Sequence, residues 1–290
     1  MPFFEYKPTS TLHYYCGVTA FEAILKSKSL WLSDIKASND PREIQLGQEA
    51  FSEAMRSLTA RDVPGLDKRA VSGFVAETLQ FSRISTFFTC CFSLAGDELP
   101  MWREYAEGGT GLAIGFRPTG LSSIPGRMQL VQYSDAASKE NFHATAVQAA
   151  LWMGRTRSIG RVLAMSEALA AITSFKHRSW AYEKEVRIGL NQLNHKPDAR
   201  EVLTNAVSEH PDGELVKWRQ PFLRSSRGKD VAYLAHEFGR RKNGNADSAR
   251  AIQTVTRGPR CAMSALEIQA LMESEGYEGF AVIESDCAIQ

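Results

Sequence analysis

Residues 84–93, with the sequence ISTFFTCCFS, place the strongest limit on how this chain can fold. The run is rich in β-branched and aromatic residues, and it contains no charged residue. A short apolar run of this kind predicts a strand that is buried in the middle of a sheet, because a half-exposed strand alternates apolar and polar residues. We therefore expect a sheet built around residues 84–93.

Patterns of further strands and helices surround this run. Residues 18–30, 43–80 and 138–176 are predicted to be helical, with an interruption near RDVPGLD, and Pro100 is suited to the first turn of a short helix. Residues 251–285 resemble a closing β-α-β unit. Further strands are predicted at 12–16, 30–34, 112–116, 128–134 and 182–190. The SIPG turn at 123–126 favours a hairpin between 112–116 and 128–134. The fold class is α+β, with one central, mostly antiparallel sheet flanked by helices.

Composition limits the classes of protein to consider. A hydrophobic share of 43%, a charged share of 23% and a net charge of +1 are typical of a globular protein without a dominant attraction to nucleic acid or membrane. We expect no transmembrane helix, no signal peptide and a cytoplasmic location. The five cysteines have no CxxC spacing, so we expect reduced, packed thiols and no metal site. The P-loop, Rossmann, zincin and α/β-hydrolase motifs are missing.

The segment WAYEKEVRIGL at 180–190 carries acidic and basic residues at every second position. In an extended chain, Glu183, Glu185 and Arg187 share one face. Such a row is either the wet face of an edge strand or a catalytic row in a cleft. In a cleft, burial and mutual repulsion would separate the pKa values of the two carboxylates.

Two other segments carry candidate binding residues. His13 and Tyr14 lie in a short strand before a helix, where His13 either binds a ligand hydroxyl or is simply packed. Ser93 precedes a helix on which Trp102 and Tyr105 share a face, and this pair either holds a planar ring or closes the core.

Residues 191–250 are rich in Arg, Lys, Gly, Asn and Ser, and we expect an insertion or a mixture of loop and helix there. Their basic residues either contact phosphates or form a solvated surface. The basic clusters are Lys217, Arg219, Arg224, Arg227 and Lys229, followed by Arg240, Arg241 and Lys242.

Several strings in order resemble a bacterial family called domain of unknown function 2971. These are LHYY, FEAILKSKSLWLSDIKASNDPRE, TCCFSLAGDELPMWREYAEGGTGLAIGF, VQYS and WAYEKEVRIG, and they span about residues 12–190. The chain departs from the family pattern at Val186, where the family usually has Trp, and at Tyr15, where it has Thr or Ser.

More distantly, the strand-helix opening and the late Glu-x-Glu strand are similar to those of ADP-ribosyltransferases. This resemblance implies a single domain over 1–290 with a split antiparallel sheet that grips NAD. It also implies a role for each candidate. By this resemblance, Glu185 is the catalytic carboxylate, and Glu183 orients or deprotonates the acceptor. His13 with Tyr14 binds a ribose hydroxyl, and Ser93 lines the nicotinamide pocket. Trp102 or Tyr105 stacks on nicotinamide, while Arg187 holds Glu185 ionised or contacts the pyrophosphate.

The resemblance leaves two hypotheses from different classes. The first is an NAD-consuming enzyme that transfers ADP-ribose to a macromolecule or hydrolyses NAD, as a toxin or antiphage effector that an antitoxin or other defence partner restrains. The second is a module that binds a nucleotide or nucleic acid without turnover. The sequence leaves the acceptor open.

Overall fold

A computed structural model describes residues 5–40, 42–155, 159–196, 217–226 and 228–288. The helices are α1 (Val18–Ser27), α2 (Glu43–Ser57), α3 (Lys68–Ile84), α4 (Leu99–Tyr105), α5 (Ala136–Arg155), α6 (Ile159–Ile172) and α7 (Ala265–Ser274). The strands are β1 (Leu12–Cys16), β2 (Ser29–Asp34), β3 (Ser85–Ser93), β4 (Leu112–Phe116), β5 (Arg127–Leu130), β6 (Gln132–Tyr133), β7 (Phe175–Lys176), β8 (Glu185–Leu193), β9 (Phe222–Ser226), β10 (Lys229–Glu237), β11 (Arg240–Lys242), β12 (Asn245–Asp247), β13 (Ile252–Arg257) and β14 (Ala281–Glu284).

Strand β3 lies in the middle of a ten-stranded sheet. The strand order is β14-β13-β4-β1-β3-β2-β10-β9, and β8 pairs with both β3 and β5. All pairs in this sheet are antiparallel except β13 and β14. The predictions of a central strand at 84–93, a mostly antiparallel sheet and an α+β fold class are therefore confirmed.

The two long edges of β3 are paired differently. One edge pairs with β8 along its whole length, from Ser85 opposite Leu193 to Ser93 opposite Glu185. The other edge is shared, because β2 pairs at Phe88 and Thr89 while β1 pairs only at Ser93. On this edge, residues 90–92 pair with neither of the two neighbouring strands. The sheet is thus divided beside residues 90–92, and we call this side of β3 the divided edge.

The main apolar core lies on one face of the sheet. Alternate residues of β3 enter it, namely Phe88, Cys90 and Phe92, together with Val186 and Ile188 of β8. On the opposite face, the side chain of Arg187 contacts Glu43 at the start of α2 and the carbonyl of Thr173 just after α6. Helices α2, α3, α5 and α6 share a second apolar cluster, so this helical layer covers the opposite face at β8.

The closing unit forms as expected. Strand β13 pairs with β14 in parallel, and α7 connects them. Helix α7 begins with a capping box, in which the Ser264 hydroxyl accepts from the Glu267 amide and the Glu267 carboxylate accepts from the Ser264 amide. The start of α7 is thus set by two residues that are three apart in the sequence.

The hairpin prediction was wrong, because β5 pairs with β8 and not with β4. The expected mixture of loop and helix was also wrong for 222–247, where β9 and β10 extend the main sheet and β11 pairs with β12. Residues 197–216 and Arg227 lie outside the described residues.

The cysteine prediction holds for Cys16, Cys90 and Cys261, which are free and buried, but Cys91 is exposed. Its side chain points away from the main core, beside the divided edge of β3. Within the described ranges, the longest and most apolar helices fall short of what a membrane span requires.

Candidate functional site

A row of directly paired residues crosses three strands on the face opposite the main core. His13 of β1 pairs with Ser93 of β3, and Ser93 pairs with Glu185 of β8. Paired residues of neighbouring strands point to the same face of a sheet. The fold therefore brings three of the predicted site residues, far apart in the sequence, into one line.

Glu185 stands at the end of this row and is held by two cations. Its carboxylate accepts hydrogen bonds from Arg187 Nε at 2.6 Å, from Arg187 Nη2 at 2.9 Å and from Lys176 Nζ at 2.8 Å. Glu185 is 3% exposed and Arg187 is 1% exposed. Burial raises the pKa of Glu185, but the charges of Arg187 and Lys176 outweigh burial and hold this pKa far below its usual value.

This arrangement excludes the interpretation that Glu183, Glu185 and Arg187 form the solvent-exposed face of an edge strand. Strand β8 lies between β3 and β5, and Glu183, Glu185 and Arg187 are all buried. Glu183 reaches the cluster by a different route from the one that strand alternation predicts. It ends a 3₁₀ segment, Arg178–Glu183, and Lys184 then turns the chain in the left-handed region with φ of 45° before β8 begins.

Glu183 completes a cluster of three carboxyl groups and two cations. Its Oε2 accepts from Lys176 Nζ at 2.6 Å, and Arg187 Nη1 forms an ion pair with Glu43. If all five groups were ionised, the buried cluster would carry one excess negative charge. Burial of an unbalanced charge is costly, so the cluster favours one bound proton.

The pKa shifts indicate where this proton is held. Burial raises the pKa of Glu183, and the charge of Glu185 raises it further. Burial also raises the pKa of Glu43, against the lowering effect of Arg187. Glu183 and Glu185 are therefore neighbouring carboxyl groups whose pKa values are pushed in opposite directions. Such a pair has separate acid and base roles available to it.

Two half-buried polar side chains, Tyr105 and Asn39, extend a chain of hydrogen bonds outward from Glu183. The Tyr105 hydroxyl donates to Glu183 Oε1, and Asn39 Nδ2 donates to the same hydroxyl at 2.6 Å. On the other side of the cluster, the Tyr133 hydroxyl accepts from the Glu185 amide at 2.9 Å. Burial, followed by the charge of Glu183, raises the pKa of Tyr105, so the phenol stays protonated and keeps donating.

Ser93 positions the turn that carries Glu183. Its side chain is completely buried, its Oγ donates to the Glu183 carbonyl at 2.7 Å, and the same Oγ accepts from the Ala95 amide at 3.0 Å. Both bonds are internal to the protein. In this structure Ser93 acts on the site through the position of Glu183.

His13 lies against two glycines. A Cβ on Gly96 would be 2.5 Å from His13 Cε1, and a Cβ on Gly115 would be 3.3 Å from the same atom. Burial lowers the pKa of His13, which favours a neutral ring. Within the described residues, the buried Nδ1 of His13 has no hydrogen-bond partner. A buried and unpaired ring nitrogen is available to a ligand hydroxyl.

Trp102 and Tyr14, which were also predicted to contact NAD, do not face the cluster. Trp102 is 0% exposed, its Nε1 donates to Asp97 Oδ1 at 2.6 Å, and its ring packs edge to face on Tyr15. Its ring is therefore part of the core, which leaves the half-buried Tyr105 as the aromatic residue at the cluster. Tyr14 points to the main core and packs against Phe92, on the face opposite His13.

Four residues in or beside the cluster were not predicted as site residues. Lys176, Glu43 and Tyr133 touch Glu185 or Arg187, and Asn39 bonds to Tyr105. The strings KASNDPRE and VQYS contain three of these residues, so the resemblance to the family pattern was the signal that could have found them. Lys176 had no such signal.

The described residues contain no group of three or more His, Cys, Asp or Glu side chains that could hold a metal ion. The chemistry available at the cluster is that of carboxyl groups, two cations and the Tyr105 phenol, and the His13 imidazole lies on the same face of the sheet.

Residues 101–188 match the model of a family described as a protein of unknown function (DUF2971). The match lies inside the 12–190 segment in which we saw the resemblance. It covers Tyr105, Lys176, Glu183, Glu185 and Arg187, but not His13 or Ser93. No curated protein and no solved structure matches the chain. The likeness to ADP-ribosyltransferases therefore stays a hypothesis.

Proposed function

We propose that this protein cleaves the bond between nicotinamide and ribose in NAD and transfers ADP-ribose to a macromolecular acceptor. The observation that carries the proposal is the pair of neighbouring carboxyl groups, Glu185 held ionised and Glu183 with a raised pKa, at the end of the His13–Ser93–Glu185 row. The divided edge of β3 supports it, because the resemblance implies a split sheet that holds NAD.

The chemistry needs a fixed anion more than it needs an acid. The C1′–N bond breaks with its electron pair leaving on the nicotinamide nitrogen, so the leaving group is neutral. Positive charge develops on the ribose ring, and a carboxylate that stays ionised in a water-poor site stabilises it. Glu185 has this character because Arg187 and Lys176 keep it ionised.

Glu183 has the character of a base for the acceptor. In the state in which Glu43 holds the proton of the cluster, Glu183 is ionised, and its raised pKa makes it a stronger base than an ordinary glutamate. The acceptor oxygen or nitrogen forms the new bond to C1′, and its proton passes to Glu183. The unpaired Nδ1 of His13 is placed to accept from a ribose hydroxyl on the same face of the sheet.

The proposal is tested by measuring nicotinamide release from NAD, with the purified protein alone and with cell extract as a source of acceptor. Glu185→Gln should lower the rate by at least about 100-fold, since it removes the charge that stabilises the developing cation. Glu167→Gln is the matched control, because Glu167 is also buried and forms an ion pair, with Arg127 at 2.5 Å.

The control variant should keep the rate of the unchanged protein, and both variants should show cooperative thermal unfolding. If all three proteins are folded and none releases nicotinamide with any extract, the enzyme proposal is wrong. If Glu167→Gln loses as much activity as Glu185→Gln, the effect of Glu185 is one of general packing.

One observation favours the alternative of a binding module without turnover. Both carboxylate oxygens of Glu185 are engaged by Arg187 or Lys176, as in a purely structural ion cluster. A binding module would be stabilised against heat by its nucleotide or nucleic acid ligand, and no product would form. The toxin or antiphage role, and a partner that restrains it, belong to the enzyme proposal through the resemblance alone.

A further inference from the structure

Arg224 of β9 has its guanidinium over an aromatic ring, and no carboxylate of the described residues forms an ion pair with it. The group lies over the ring of Trp31, 5.9 Å from the ring centroid, and its Nη2 donates to Ser33 Oγ at 3.4 Å. Its Nε is buried and has no hydrogen-bond partner among the described residues. In that part of the chain, no carboxylate forms an ion pair with it, in contrast to Arg187, Arg127 and Arg161.

Aromatic side chains pack around Arg224. Trp31 stacks on Tyr233 with centroids 4.3 Å apart and planes 28° apart, and Phe222 packs beyond Tyr233 at 5.6 Å. Trp31 is nevertheless 47% exposed. Arg224 itself is half-buried, and its Nε is shielded from water.

Arg224 lies on the same face of the sheet as the carboxyl cluster. Ser33, its hydrogen-bond partner, pairs with Thr89 of β3, and Thr89 pairs with Gly189 of β8. Two residues further along, the exposed Cys91 pairs with Arg187. Arg224 therefore lies on the β2 side of residues 90–92, while Glu185 and His13 flank Ser93 on the β1 side of these residues.

The local charge favours an anion. The described residues between 217 and 230 include Lys217, Arg219, Arg224 and Lys229, with Asp230 as the single acidic residue. A desolvated N–H on a permanently charged guanidinium is costly unless an anion occupies it. The Nε and one Nη of arginine form a planar fork that matches two oxygens of a phosphate.

We propose that Arg224 binds a phosphate group of the diphosphate in the dinucleotide substrate, through Nε and one terminal nitrogen. This inference rests on the proposed function, since it assigns the anionic part of the same substrate. It places the diphosphate on the β2 side of the divided edge and the scissile bond near Glu185. The ring of Trp31 orients the guanidinium, and Ser33 holds one terminal nitrogen.

The test compares Arg224→Gln, Arg224→Lys and the control Arg250→Gln. Arg250 is an exposed arginine whose Nε contacts Glu278 at 3.4 Å, and this contact lies away from the proposed site. Binding of ADP-ribose and of adenosine, which lacks phosphate, is measured by calorimetry. Where NAD turnover is present, KM and kcat are also measured. Thermal unfolding checks that each variant is folded.

Arg224→Gln should weaken ADP-ribose binding and raise KM by about tenfold or more, because a charged hydrogen-bond donor is lost, while kcat stays within about twofold. Adenosine binding should be unchanged. Arg224→Lys should recover only part of the affinity, since lysine cannot form the planar fork. Arg250→Gln should behave as the unchanged protein.

The inference and the proposed function fail in different ways. If the unchanged protein binds ADP-ribose through Arg224 but releases no nicotinamide, the enzyme proposal fails and the phosphate site stands. If Arg224→Gln binds ADP-ribose as tightly as the unchanged protein, or neither binds it, the inference is overturned. It is also overturned if Arg224→Gln loses only the binding of a single-stranded oligonucleotide, because Arg224 would then serve the acceptor.

Discussion

Lys176 is the residue whose replacement tests the buried cluster most directly. Its Nζ donates to Glu183 at 2.6 Å and to Glu185 at 2.8 Å, and the side chain is 3% exposed. Lys176→Met keeps most of the side-chain volume but removes the charge. The cluster then has three carboxyl groups and the single cation Arg187, so two protons are needed to balance the charge.

The size of the effect follows from burial. Each hydrogen bond to a charged group contributes about 1.5–3 kcal/mol, and removing one partner of a buried ion pair costs about 3–5 kcal/mol. Both hydrogen bonds depend on the one charge of Lys176. We therefore use the cost of removing one partner of a buried ion pair and do not add two hydrogen-bond contributions. We expect Lys176→Met to lower the free energy of unfolding by about 3–5 kcal/mol, partly relieved because Glu183 is already disposed to hold a proton.

The assay is urea unfolding of the unchanged protein, Lys176→Met, Glu183→Gln and the double variant. The double variant should lose less than the sum of the single losses, by roughly 1–3 kcal/mol, because Glu183→Gln removes a carboxyl group that Lys176→Met leaves unpaired. Arg161→Met is the control for a half-exposed ion pair, with Glu77 at 2.6 Å, and should cost less than about 1 kcal/mol.

A loss below about 1 kcal/mol for Lys176→Met would contradict the cost expected when a buried charge loses its partner. It would mean that water reaches the cluster and screens its charges. Strict additivity in the double variant would also count against it, because it would show that Lys176 and Glu183 act independently.

Two further predictions concern Glu183 and His13. Burial and then the charge of Glu185 raise the pKa of Glu183 above its usual 4.5. Between the usual and the raised pKa, the folded protein binds more protons than the unfolded chain. The stability due to Glu183 therefore falls as pH rises through this window. Urea unfolding over a pH series should show a smaller fall for Glu183→Gln, and equal slopes would contradict the raised pKa. Gly96→Ala should cost about 1–3 kcal/mol in the same assay because its Cβ would lie 2.5 Å from His13 Cε1. Gly73→Ala, a helical position with nothing within 4 Å, should instead stabilise by about 0.5–1 kcal/mol, and a similar loss at both glycines would argue against a specific clash with His13.

Local patterns in the sequence predicted the features that depend on neighbouring residues. The run at 84–93 is rich in β-branched and aromatic residues and has no charged residue, and β3 is indeed central. The Ser264 and Glu267 spacing defines the start of α7 within a few residues. Proximity along the chain also placed Glu183, Glu185 and Arg187 together, although two interpretations of that row remained open.

The choice between those two interpretations depends on contacts between distant parts of the chain. Glu185 is buried because β5 and β3 pair on either side of β8, and these pairings join residues that are distant in the sequence. Other long-range contacts bring Glu43 against Arg187 and put Trp102 in the core while Tyr105 reaches Glu183. Burial and the balance of charges set the pKa values of the cluster, and both arise from contacts that no local pattern records.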